Sequence, residues 1–82
     1  MVELKDTVEQ MTSSDYRDRF EAEVTQLEIR TAKLKTMIEK YKAGKLEFIP
    51  ACPVELLEHQ LKAMYEYLHY LKQRAEIEGI EV

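Results

Sequence analysis

Apolar residues recur at helical spacing along three stretches of the chain, and these stretches define its elements. In VELKDTVEQM, residues 2–11, Val8 and Met11 follow Leu4 on one weak helical face, too short to stand alone in water. TSSD breaks this pattern. Ser14 is the expected N-cap of the next helix, with Asp15 and Asp18 in the first turn, where carboxylates favour the helix dipole. A second helix is predicted over 15–43. Its seam runs Tyr16, Phe20, Val24, Leu27, Thr31, Leu34, Ile38 and Tyr41, in steps of four and three, and only Thr31 interrupts it. At ~1.5 Å per residue this helix is roughly 43 Å long. Gly44 stands where a left-handed residue closes a helix.

The connector 44–52 contains Leu46, Phe48 and Ile49, too apolar for a solvated loop and expected to fold back over the end of the hairpin. Pro50 and Pro53 stop continued helix, and Pro53 suits the first position of the next. A third helix is predicted over 53–78, with Leu57, Leu61, Met64, Leu68, Leu71 and Ala75 as a second seam. Gly79 closes it, and Ile80, Glu81 and Val82 trail off. The fold class is therefore all-α: one domain over 1–82, with a short N-terminal helix ahead of a long antiparallel helical hairpin.

The third helix carries more apolar surface than one partner helix covers. Leu56, Ala63, Tyr67 and Tyr70 flank its seam on one side, and Val54, Tyr65 and Ile77 widen it on the other. A chain of 82 residues is marginal as a monomer. Self-association into a helical homo-oligomer is the expected remedy. The same face supports an alternative, a structural or adaptor hairpin that binds a host or phage protein.

Charge changes the picture at one place. The chain carries a net charge of −4 and a pI near 5.2, against general binding of long nucleic acid. Yet Arg30–Lys45, RTAKLKTMIEKYKAGK, sets six cations against Glu39 alone, half of the chain's twelve. Cations there complement the C-terminal dipole of the second helix and lay their stems over the seam. The functional reading is a phosphate-binding shoulder shared between protomers. Tyrosines at the bundle edge offer stacking faces for nucleobases, with Tyr16 best placed after what reads as a flexible turn. Tyr67, Tyr70 and Arg74 line one side of the third helix, where Arg74 can stack on a ring or present its fork of donors to a phosphate.

Catalytic patterns are poor. Glu66 and His69 form a lone E-x-x-H without the further carboxylates that a di-iron bundle needs. Cys52 and His59 stand too far apart on a helix for a nucleophile pair, and one cysteine forms no internal disulfide. No phosphate-binding glycine loop or apolar run of membrane-spanning length occurs. A binding protein is expected, not an enzyme, without cofactor or metal, in a reducing cytoplasm and off the membrane.

Residues 15–78 resemble a family of small helical bacteriophage proteins. In its members a helix with E-x-x-x-L-x-x-R/K-x-x-K-L precedes one with L-x-x-Q-L-x-x-M-x-x-Y-x-x-x-L-x-x-R. Here these positions are Glu23, Leu27, Arg30, Lys33 and Leu34, then Leu57, Gln60, Leu61, Met64, Tyr67, Leu71 and Arg74. Some members are anti-CBASS sponges, hexamers in the characterised cases, that sequester cyclic di- and trinucleotides without cleaving them. The resemblance implies immune evasion in the cytoplasm of an infected bacterial host, by a hexameric homo-oligomer whose partners are cyclic oligonucleotides. It implies a cyclic-dinucleotide site at Tyr16, Lys33 and Lys35, with Lys35 standing where relatives have a small polar residue. It implies a cyclic-trinucleotide site at Arg30, Thr31 and Arg74.

Overall fold

Two long helices run antiparallel in a computed structural model that describes residues 2–46 and 51–82. A 3-10 turn, Leu4–Thr7, leads into the short helix α1, Val8–Met11; α2 spans Tyr16–Lys42 and α3 spans Val54–Glu78. Among the described residues there is no strand, and no helix is long and apolar enough to cross a membrane. The molecule measures 43 × 24 × 19 Å, the long dimension being set by the hairpin.

The two seams meet as their spacing requires. Phe20, Val24 and Leu27 of α2 pack with Leu71 and Ala75 of α3, and Met64 and Leu68 complete the contact. This core lies toward the end of the hairpin where α2 begins and α3 ends. Toward the turn only Ile38 of α2 is as well buried, and Leu57 and Leu61 are half-covered. Thr31, the polar interruption, is buried without penalty because its hydroxyl donates to the Leu27 carbonyl at 2.7 Å.

Several ends differ from the sequence expectation. Asp15, not Ser14, caps α2: its carboxylate accepts from the Arg17 amide at 2.9 Å, and its backbone is extended. The preceding turn is pinned rather than loose. Ser13 donates to Asp18 and accepts from the Asp15 amide, while the Arg19 guanidinium donates to the Ser13 carbonyl. Pro53 is the N-cap of α3, and its carbonyl receives the first helical bonds from Leu56 and Leu57. The N-terminal stretch is split because Asp6 accepts from the Glu3 amide and tightens the first turn. Thr7 is then fully buried, with its hydroxyl accepting from Gln26 at 2.9 Å. Ala22 is fully buried on this side of α2, away from the α3 seam. The expected fold-back of Phe48 and Ile49 lies outside the described residues; Leu46 is half-buried.

Both long helices close on a left-handed glycine. At Gly44 (φ 70°) the Lys45 amide bonds the Lys40 carbonyl and the Gly44 amide bonds Tyr41, a Schellman pair. At Gly79 (φ 71°) the Ile80 amide reaches back to the Ala75 carbonyl at 2.8 Å. That bond turns Ile80 inward. Far from trailing off, Ile80 is 8% exposed and belongs to the core. A Cβ at Gly79 would meet nothing within 4 Å, so Gly79→Ala isolates the backbone cost. We expect about 1 kcal/mol and a melting temperature lower by roughly 4–8 °C, measured by circular dichroism.

Candidate functional site

Antiparallel packing brings the start of α2 against the last turns of α3, and four side chains converge there. The Tyr16 hydroxyl donates to Oε1 of Glu78 at 2.9 Å and accepts from Nη2 of Arg74 at 2.9 Å. Arg74 Nε lies 3.5 Å from Oε2 of Glu78. The guanidinium also sits over the Phe20 ring, 5.0 Å from its centroid, while the Tyr16 and Phe20 rings tilt together at 6.0 Å. Phe20 is buried and so gives the cluster a fixed floor; Tyr16 and Arg74 are exposed. The bond to the Tyr16 hydroxyl, followed by the nearby Glu78 carboxylate, pushes the Arg74 pKa up from a value already beyond the reach of folding conditions. Arg74 is thus a permanent cation beside an aromatic ring. The arrangement can stack a flat group and hold an anion next to it.

A second cluster lies along the same edge. Tyr67 donates to the Glu23 carboxylate, and these two residues line a shallow cavity of about 180 Å³ with Gln26, Leu27 and Arg30. The hydrogen bond to Glu23, with lesser help from burial, raises the Tyr67 pKa above its usual value. A raised phenol pKa means that the contact contributes fully below about pH 10 and is lost as the pH climbs through the folded-state value. Stability should therefore fall with rising pH in that alkaline window. Tyrosinate absorbance is expected to show a late-titrating component that Tyr67→Phe removes.

The remaining sequence-designated residues stand apart. Lys33 lies ~25 Å along α2 from Tyr16, and borders a cavity of about 410 Å³ with Val2, Glu3, Glu28, Ile29 and Ala32. Lys35 is turned roughly 200° from Lys33 about the same axis. It borders grooves toward α3 that include Tyr65. Arg30 stands at the Glu23–Tyr67 cavity, and Thr31 is held in the seam by its bond to Leu27. Within one chain, then, Tyr16 meets Arg74, while neither lysine reaches them or the other. Among the described residues, Lys42 with Glu58 (3.2 Å) is the sole ion pair made by the six cations of the basic segment. Glu66 and His69 are both exposed, and no group of three metal-ligating side chains forms among the described residues.

Sequence reasoning missed Phe20 and Glu78 as members of the Tyr16 cluster. A signal was present: Tyr16 opens one seam and Ala75 closes the other, so an antiparallel register sets them level. Glu78 then follows Arg74 by one helical turn.

A family model described as Sequestin matches residues 14–77, from just before α2 to the penultimate residue of α3. No curated protein and no solved structure matches the chain.

Proposed function

The chain belongs to the Sequestin family, and from that premise we propose that it captures cyclic di- and trinucleotide messengers of CBASS immunity and withholds them uncleaved. The effector that such a messenger would activate then stays idle, as an anti-CBASS protein of phage origin acting in the host cytoplasm requires. The carrying observation is the exposed Tyr16–Arg74 pair on its Phe20 floor. There a stacking ring and a guanidinium fork lie in hydrogen-bond contact, the two chemistries that a base joined to a phosphodiester presents.

A complete site needs more than one copy. Lys33 and Lys35 are too far along α2 to share a small ligand with Tyr16 of the same chain, so a neighbour's lysines serve its phosphates. By the family resemblance a trinucleotide site takes Arg74 with Arg30 and Thr31; in this chain Arg30 borders the Glu23–Tyr67 cavity and Thr31 is buried behind it in the seam. The surface for assembly is the outer face of α3, where Leu56 and Tyr70 are exposed and Ile77, at 85%, falls on their side of the helix rather than beside Val54 and Tyr65. A homo-oligomer, a hexamer by the family resemblance, buries these side chains and brings cations and rings together.

Isothermal titration of the purified chain with a panel of cyclic di- and trinucleotides tests the proposal. Saturable binding of at least one, lost in Lys33→Ala or Tyr16→Ala, is expected. A folded chain that yields no heat with any member contradicts it and favours the adaptor reading, in which the α3 face takes another protein.

A further inference from the structure

Glu78 is oddly placed. It ends α3, where the helix dipole disfavours an anion, and the last turn of α3 carries no cation. Glu76 lies in the same turn, so two carboxylates crowd one C-terminus; α2 by contrast ends on Lys40 and Lys42. The Arg74–Glu78 pair also has the weaker order, with the cation one turn N-terminal to the anion. Stability of the helix end does not explain the residue. Its contacts do: one carboxylate oxygen accepts from the Tyr16 hydroxyl and the other faces Arg74 Nε.

We infer that Glu78 is a built-in competitor, its carboxylate taking the position on Arg74 and Tyr16 that a ligand phosphate needs. The inference rests on the proposed phosphate capture by these two residues and adds what sets its threshold. A carboxylate is a good stand-in because it accepts the same charge-assisted bonds with one charge and two oxygens. The Nε contact at 3.5 Å is single and loose, and both partners are substantially exposed, so exchange requires only a rotation of the Glu78 side chain. A diester phosphate offers Arg74 a two-pronged partner in exchange for this one-pronged contact. Weak anions of the cytosol meet the carboxylate first. The carboxylate weakens every ligand of Arg74 alike, so free phosphate falls below the binding threshold while a ligand that adds stacking on Tyr16 to its phosphate contact still displaces it.

The test compares Glu78→Gln with Glu76→Gln by titration with the same cyclic di- and trinucleotides and with inorganic phosphate. Both variants remove one carboxylate from a helix C-terminus, so neither is expected to lower the melting temperature. Glu76 is exposed and has no hydrogen bond or ion pair among the described residues, which makes it the control for net charge. Glu78→Gln should bind the cyclic nucleotide about three- to tenfold tighter and gain affinity for phosphate as well. Glu76→Gln should change binding by less than about twofold at physiological salt. Equal gains in the two variants would reduce the effect to long-range charge and overturn the inference. Unchanged or weaker binding in Glu78→Gln, with wild type binding normally, would make Glu78 a positioning residue; the inference falls while the proposed function stands. Binding by neither wild type nor variants removes both.

Discussion

Replacing Arg74 with alanine is expected to weaken capture of the best-bound cyclic nucleotide by roughly ten- to a hundredfold, the range spanned by loss of a charge-assisted bond. The melting temperature should move by only a few degrees, because Arg74 is exposed and its pair with Glu78 lies at the surface. Arg74→Lys should recover part of the loss. It keeps the charge but loses the planar fork that meets Tyr16, the Phe20 ring and a phosphate at once. Titration calorimetry gives the affinities and circular dichroism the melting curves. Unaltered affinity in a folded Arg74→Ala chain would remove the cluster from the binding site.

The largest effect on stability is expected at Phe20. Its ring is 2% exposed and packs with Val24, Leu71, Ala75 and Ile80, while its outer side carries Arg74. Truncation to alanine should cost about 3–5 kcal/mol. A chain of 82 residues has roughly 4–12 kcal/mol in total, so the melting temperature should fall by more than about 10 °C. Leu71→Ala should cost about 2–5 kcal/mol, but it leaves the ring beneath Arg74 in place. At temperatures where both variants remain folded, Phe20→Ala should lose ligand and Leu71→Ala should retain it. That contrast separates the ring's part in the site from its part in the core.

Why the core sits at one end explains where the candidate site is. Phe20, Leu71 and Ile80 anchor the end of the hairpin at which α2 starts, and the pinned Ser13–Arg19 turn holds Tyr16 from the other side. The cluster thus rests on the best-buried part of the hairpin. Toward the turn the seam is thinner, with Leu34, Leu57 and Leu61 half-covered.

The two long helices were legible because their seams repeat every seven residues, with one glycine past the C-terminal end of each to stop it. Local competition decided what was misread. Ser14 and Asp15 are both good caps, and the choice fell to Asp15 once Ser13 was engaged with Asp18. Ile80 looked like a loose end because a Schellman closure reveals its inward turn only when Ala75 already faces the core. The site was legible one residue at a time. Tyr16 and Arg74 each stood out as ring and cation, but their meeting depends on hairpin register, which lies between two helices and in neither alone. Glu78 was legible only through Arg74, one helical turn before it, and its bond to Tyr16 again waits on the register. The part proposed for Lys33 and Lys35 calls on a further copy, which the packing of a single chain does not display.

The most direct measurement follows the ligand itself. A cyclic nucleotide that binds in titration is incubated with the chain, passed through a filter that retains protein, and the retained fraction is then heated to unfold the chain. Capture without cleavage predicts that the nucleotide disappears from the filtrate and returns chemically intact on heating. A nucleotide that stays in the filtrate, or comes back as linear hydrolysis products, would contradict it.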